Sequence, residues 1–429
     1  MDTSNEFAVV AISEDQRVAW PRIASVAAMV AFSLPTFITG LELYHEMTPT
    51  AAAWALVFGS MIIFVVGALM GVIGALTHMS SYLLVRIAFG DRGAGLVNIA
   101  FAISLLGWFG VNINLFAEAA DGLSQTVFGL SLPPLVWMGI ASAAMTFTTL
   151  VGFSAINRLS VILVPVLAVV TLLLIYQSAQ LQGLGGYFSG DTVGPLSLGD
   201  GVSAVVGAII IGAIILPDIT RFARHWSGAV YTALFSYVVA QLMVMGAAAF
   251  AGGATGETEV IDLMVNIGLG LGAFIIVIAG SWVLNSLNLY SAVLGIKATY
   301  PKVPTIGLTL LLGVVGIIAG ALNLLDHFVT FIFYLSVIFV PVAGVLVVDY
   351  FLIRPGAYTI ETLSKNAAIN VKAFASWGAG AIMAVLMSEG VIASITGMAA
   401  LDAAILAALV YTPLSWGDRQ RATQDGPKP

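Results

Sequence analysis

Residues 52–77 read AAWALVFGSMIIFVVGALMGVIGALT, an unbroken apolar run without a charged side chain. A helix of that length spans the roughly 30 Å hydrocarbon core of a bilayer. A barrel strand would alternate apolar and polar residues at every second position, and this run does not. The whole chain has the same character: 60% of its 429 residues are hydrophobic and 9% are charged. A soluble domain carries about a quarter charged residues, so this chain lacks the polar side chains to clothe a globule of its size. These features predict an all-α polytopic membrane protein, because lipid admits only structures that satisfy their own backbone.

Working outward, apolar runs between polar or Gly/Pro punctuation predict twelve spans. They cover 20–43, 52–77, 95–117, 134–154, 159–178, 201–219, 228–251, 267–294, 304–323, 328–351, 372–388 and 392–413. Basic residues test this count, since Lys and Arg concentrate in cytoplasmic loops. Arg17 and Arg22 lie at the start, Arg86 and Arg92 after span 2, and Arg158 after span 4. Arg221 and Arg224 follow span 6, and Lys297 and Lys302 follow span 8. Arg354, Lys365 and Lys372 follow span 10, and Arg419, Arg421 and Lys428 follow span 12. All 15 Lys and Arg therefore fall on one side, and a miscounted span would scramble that parity. Both termini are expected in the cytoplasm, with the chain in the cytoplasmic (inner) membrane.

The opposite loops carry acids: Glu42, Glu46, Asp191, Glu257, Glu259, Asp262 and Asp326. They read as solvated loop charge. The expected organisation is a cytoplasmic segment over 1–17, one transport domain over 18–415, and a disordered cytoplasmic tail over 416–429. Met1 to Gln16 is polar and acidic, unlike a cleavable signal peptide.

Cysteine is absent, and His45, His78, His225 and His327 show no ligand spacing. No phosphate loop, metal cluster or nucleophile elbow is present, so nothing points to an enzyme. Transporters bind substrate near the membrane midplane, where interrupted helices free backbone groups. Span 1 contains Ser33-Leu34-Pro35-Thr36-Phe37-Ile38-Thr39-Gly40, and span 6 contains Gly207 and Gly212 and ends at Leu216-Pro217-Asp218. A proline in mid-helix removes a backbone donor and clashes with the preceding turn. Spans 1 and 6 are matching members of two five-helix halves, as an inverted repeat predicts. The alternative is that Pro and Gly merely kink or pack these helices.

Mid-span polar residues supply candidate binding groups. On span 3, Trp108 and Asn112 are one turn apart on a face shared with Leu105. A ring beside an amide suits a flat heteroaromatic ligand, or else a packed core Trp with Asn bonded to a neighbouring helix. On span 8, Asn285, Ser286 and Asn288 are costly in hydrocarbon unless paired or wet, so they point into the bundle as a site or as glue. Glu118, Asp121 and Asp402 are proton-relay candidates, with Glu118 and Asp121 alternatively at the external mouth. Asp218 and Asp349 stand beside Arg221 and Arg354, which predicts local ion pairs.

At these residues the chain resembles the nucleobase:cation symporter family of cytosine, purine and hydantoin permeases, its cytosine-permease-like branch in particular. The resemblance rests on Gly107-Trp108-Phe109-Gly110-Val111, on Asp218-Ile219-Thr220-Arg221-Phe222, and on the stretch from Trp282 to Tyr290. Leu83 to Gly90 and Pro341 to Tyr350 add to it, and the similarity runs from about residue 18 to 415. It implies twelve helices in a five-plus-five inverted repeat with unwound spans 1 and 6, the sodium:amino-acid transporter architecture, working by alternating access. It also implies that Trp108 stacks on the substrate, that Asn285 reads its edge, and that Asn112 matches a polar position of the hydantoin branch. Ser33 and Ser286 complete the expected binding set.

The departures concern specificity and coupling. Leu105 replaces a glutamine of cytosine permeases, and Ala208 and Ile209 replace a serine and a stacking phenylalanine. Buried donors and acceptors discriminate strongly, so a related but non-identical heterocycle is expected. Where the family has two sodium-binding hydroxyls after the span 8 tryptophan, this chain has Val283 and Leu284. Hard cations need oxygen ligands. Either coupling is to protons through an acid such as Glu118, or transport is uncoupled, or Ser281 and Ser286 stand in beside the backbone near Leu34 and Gly280. The expected partners are a small heterocyclic substrate and the lipid bilayer, with no nucleic acid and no obligate protein partner. No cofactor is expected beyond a coupling Na+ or H+. An uncoupled facilitator or channel-like carrier is the alternative function.

Overall fold

A computed structural model describes residues 11–183, 185–189, 194–323 and 328–425. Asp191, Asp326, His327 and Lys428 lie outside the described residues. Among the described residues the fold is helical, with a single isolated β-bridge between Val18 and Ala223. Among the described residues nine helices are long and apolar enough to cross a membrane, and Thr305–Ala321 and Val337–Ile353 are shorter apolar helices. The first span is split into Trp20–Ala28 and Leu34–Glu46, which completes the twelve.

Packing follows the inverted repeat. Span 2 (Pro49–Thr77) packs on span 6 (Leu198–Ile214 and Pro217–Thr220), and span 7 (Trp226–Thr255) packs correspondingly on the outer half of span 1. Span 3 (Ala94–Phe128) packs on span 9 (Thr305–Ala321), and span 8 (Gly270–Thr299) packs on span 4 (Pro134–Val151) in the same relation. Exchanging each span with the one five later turns one set of contacts into the other. Span 5 (Phe153–Gln182) closes the first half, and spans 11 (Val371–Ser388) and 12 (Ala399–Asp425) pair beside span 10 (Phe328–Val348).

Small residues permit the closest approaches, as they do in membrane interfaces generally. A Cβ on Gly40 would lie 2.3 Å from the Met245 carbonyl oxygen of span 7, and one on Gly110 2.6 Å from the Ala319 carbonyl carbon of span 9.

The basic face is real in space. Asn157 donates to the Arg22 carbonyl, Arg224 to that of Arg17, Arg86 to that of Ala298, and Arg354 to that of Ile87. Loops after spans 2, 4, 6, 8 and 10 thus meet at one end. At the other end His45 lies 3.0 Å from the Glu257 carbonyl, and Leu196 N–H donates to that of Glu46.

Two boundaries differ from expectation. Span 12 begins at Ala399 rather than 392, because Asp402 accepts from the Ser394 hydroxyl and from Ile395 and Thr396 N–H, holding that segment as a cap. Residues 416–425 are helical rather than a disordered tail; Lys372 pairs with Asp418 at 2.7 Å and Arg419 lies over the Trp416 ring. The loop helix Ser81–Phe89, between spans 2 and 3, had no periodicity long enough to announce it.

Candidate functional site: a cavity between the broken helices

Span 1 leaves helical geometry over 29–33 and restarts with Pro35 in its first turn, where the missing N–H costs nothing. Ser33 Oγ and Thr36 Oγ1 both donate to the Val30 carbonyl, at 2.8 and 3.0 Å, which stabilises the opened turn. Span 6 is interrupted at Ile215 and Leu216 and restarts at Pro217. Between the two breaks lies a cavity lined by Val30, Ser33 and Thr36 of span 1, Leu105 and Trp108 of span 3, and Ala208, Ile209 and Ile215 of span 6. Tyr237 of span 7 and Leu284, Leu287, Asn288 and Ser291 of span 8 complete it.

Of the residues singled out from sequence, the cavity gathers Ser33, Leu105, Trp108, Ala208, Ile209, Gly212, Leu284 and Asn288. Asn285 ties spans 3 and 8 instead: its Nδ2 donates to the Phe109 carbonyl at 3.0 Å, and its Oδ1 accepts from Asn288. Ser286 faces span 4, donating to the Trp282 and Met145 carbonyls. Asn112 turns back to the Trp108 carbonyl at 2.8 Å, leaving its buried Oδ1 without a partner.

Glu118 is exposed and does not line the cavity. Asp121 accepts from Leu132 N–H, the Ser131 hydroxyl and the Trp137 indole, fastening the loop between spans 3 and 4. Leu34 is buried at the restart of span 1. Gly280 packs directly on the opened segment, a Cβ there lying 2.5 Å from the Phe32 carbonyl oxygen, and the adjoining Ser281 hydroxyl is buried without a partner.

Asn288, open in the sequence between site and inter-helix glue, lines the cavity, whereas Thr36, Ser291 and Tyr237 were not in the expected site. Leu284, Leu287, Asn288 and Ser291 form one helical face at spacings of three and four, which identifies the wall of span 8. Tyr237 sits in a π-helical turn over Leu234–Ala240, a local register change that sequence periodicity does not show.

The available hydrogen-bonding groups are specific. The Ser33 and Thr36 hydroxyl protons are committed to Val30, so their oxygens present lone pairs to the cavity. Asn288 uses one amide N–H on Asn285, keeping a second N–H and its carbonyl oxygen. Trp108 adds a ring and span 6 an aliphatic wall. Such a pocket fits a flat solute with a polar edge carrying adjacent donor and acceptor.

Beneath the cavity the basic end is tied shut by polar contacts. Arg221 donates to the Tyr290 hydroxyl at 2.7 Å, and His78 Nδ1 lies 2.8 Å from the Arg221 carbonyl. Burial holds the His78 imidazole below its usual value. Asp349 joins Arg354 at 2.5 Å as expected, and also accepts from the Tyr358 and Tyr411 hydroxyls. Burial opposes the charge on Arg354, but the Asp349 carboxylate outweighs it and raises the guanidinium's value; burial and the same carboxylate push the Tyr358 phenol up. Asp218 interacts electrostatically with Arg221, as expected, and also accepts from the Ser81 N–H and the Ser291 hydroxyl, at 2.9 and 3.0 Å.

The profile of the family described as "Permease for cytosine/purines, uracil, thiamine, allantoin" matches residues 15–409. The chain belongs to that family. It is 30% identical over 324 residues to the cytosine permease of Escherichia coli (strain K12), covering 74% of this chain and 73% of that one. With the hydantoin permease of Microbacterium maritypicum it shares 27% identity over 317 residues, 66% and 63% of the two chains. Its fold matches that of Mhp1, a nucleobase-cation-symport-1 family transporter in a closed conformation with bromovinylhydantoin bound. The TM-score is 0.81 at 20% identity, covering 98% and 96% of the chains. The inward-facing conformation of Mhp1 matches with a TM-score of 0.78 at 18% identity. The protein is therefore a membrane permease with the predicted twelve-helix, five-plus-five architecture, and not an enzyme.

Proposed function

We propose that this permease imports a small nitrogenous heterocycle, nucleobase-like in its edge chemistry, by cation-coupled alternating access across the cytoplasmic membrane. The observation that carries this reading is the cavity between the two broken helices, with Trp108 on one wall and Ser33, Thr36 and Asn288 offering a polar edge. Residues 18–415 act as one transport unit, with both termini on the cytoplasmic side because every Lys and Arg falls there. The relatives' names support the substrate class, and the replacements at Leu105, Ala208 and Ile209 favour a ligand other than cytosine itself. The coupling ion is a proton, since Val283 and Leu284 supply no oxygen. A second reading, sodium bound beside the opened segment of span 1, is favoured by the unpartnered Ser281 hydroxyl and the Gly280–Phe32 approach.

A thermal-shift screen of nucleobases, hydantoins, vitamin precursors and small amines, with and without sodium, tests both parts. A ligand that binds the native state raises its apparent stability by mass action. A heterocycle should stabilise the protein equally in sodium and choline; stabilisation by small amines alone would contradict the substrate class, and strict sodium dependence would favour the second reading.

A further inference from the structure

Asp218 lies just beyond the break in span 6 and is 1% exposed. Its Oδ2 accepts from Ser291, whose side chain lines the cavity, so one hydroxyl separates this carboxyl from the substrate space. Its Oδ1 accepts from Ser81 N–H in the loop helix at the basic end. The Ser81 hydroxyl and the Tyr82 phenol are buried beside the carboxyl.

Three other acids held by hydrogen bonds, the buried Asp349 and Asp402 and the more exposed Asp121, differ in one respect. Asp349 is surrounded by donors, a guanidinium and two phenols, and Asp121 and Asp402 are fastened by backbone N–H groups, hydroxyls and an indole. None of the side chains bonded to these three acids lines the cavity. Asp218 meets two donors, Ser81 N–H and Ser291, and two further hydroxyls that can donate to the carboxylate or accept from the acid. Ionised, it is bonded by Ser81 N–H and Ser291 and faces the Arg221 guanidinium; protonated, it has an acceptor to donate to. Buried polar groups are costly unless bonded, and this site can bond either state while one hydroxyl links it to the cavity.

The titratable groups around it are few. Arg221 of the same span bonds Tyr290 of span 8 and the Asp218 backbone carbonyl. Tyr82 comes from the loop helix, and His78 at the end of span 2 reaches the Arg221 carbonyl.

We propose that Asp218 takes up and releases the coupling proton. On loading, a hydronium ion in the cavity gives a proton to the Ser291 oxygen and is left as water, while the Ser291 hydroxyl proton passes to Oδ2. On inward opening, the carboxyl O–H breaks and the proton leaves past Ser81 and Tyr82 to cytoplasmic water, restoring the carboxylate beside Arg221. The assignment rests on the permease reading and deepens it.

The test uses the full chain in liposomes with labelled cytosine, uracil and hypoxanthine as probes. An imposed gradient of one pH unit should drive up to about tenfold accumulation at one proton per substrate. Asp218→Asn should abolish that accumulation while keeping gradient-free counterflow within about twofold, because Asp218 does not line the cavity. Wild-type accumulation in D218N, or counterflow in the wild type without any accumulation driven by the pH gradient, would overturn the assignment while leaving the permease reading intact. Absence of any counterflow in the wild type would overturn both. Should D218N not fold, Ser291→Ala serves: slowed accumulation with a displaced pH midpoint supports the relay, and an unchanged pH profile overturns it.

Discussion

The two broken helices at the centre of this permease are interrupted in different ways. Span 1 opens over five residues, 29–33, and hydroxyls of Ser33 and Thr36 take over a carbonyl that the helix gives up. Span 6 opens over two, Ile215 and Leu216, and closes that turn with its own backbone: Ile215 N–H reaches the Ile211 carbonyl and Asp218 N–H that of Ile215. The wall of span 1 is consequently polar and that of span 6 aliphatic. A ligand held between them needs a hydrogen-bonding edge on one side and a bare face on the other. Ile209 belongs to the aliphatic wall, and Trp108 supplies a ring to the same cavity.

The largest expected effect comes from the docking of the outer half of span 1. Gly40→Val forces a side chain into the Met245 backbone and should cost about 3 kcal/mol or more, read as a collapse of melting temperature or yield. Gly212, just before the break in span 6, has room, the nearest atom to a Cβ being a Val30 methyl at 3.6 Å. Gly212→Ala should therefore shift stability by less than about 1 kcal/mol; equal effects at the two glycines would erase the asymmetry. Next comes the polar wall. Asn288→Leu should weaken ligand affinity by about ten- to a hundredfold, the cost of roughly 1–3 kcal/mol for unpaired polar groups, measured by titration of the melting temperature. Smallest of all, Ser286→Ala should leave affinity unchanged, because that hydroxyl faces span 4. A loss there comparable with Asn288→Leu would move the binding surface by about 100° around span 8 for each residue of offset.

Much of this was legible in the sequence. Parity of the basic residues fixed the number of spans, and the prolines marked both breaks to within a few residues, since a proline is tolerated only where a helix restarts. The Gly107–Gly110 motif is equally readable afterwards: Gly110 admits span 9, Phe109 wedges against Gly316 and accepts Asn285, and Trp108 is left to the cavity. Less legible was which way the polar side chains of span 8 point. Hydrocarbon forces Asn285, Ser286 and Asn288 inward, but inward includes spans 3 and 4 as well as the cavity. Their spacing cannot rank those directions without the neighbouring helices. Asp402 illustrates the same limit at span 12, where an acid that looked like a relay group caps a loop seven residues long in its reach to Ile395.

The central claim is that a flat ligand sits against Trp108 between the broken helices. Melting-temperature titration of wild type and Trp108→Ala with the heterocycle selected by the ligand screen tests it most directly. Stacking on an aromatic ring contributes about 1–3 kcal/mol per base. The account predicts that Trp108→Ala keeps its fold and loses at least about tenfold in affinity. Undiminished affinity in that variant would contradict it.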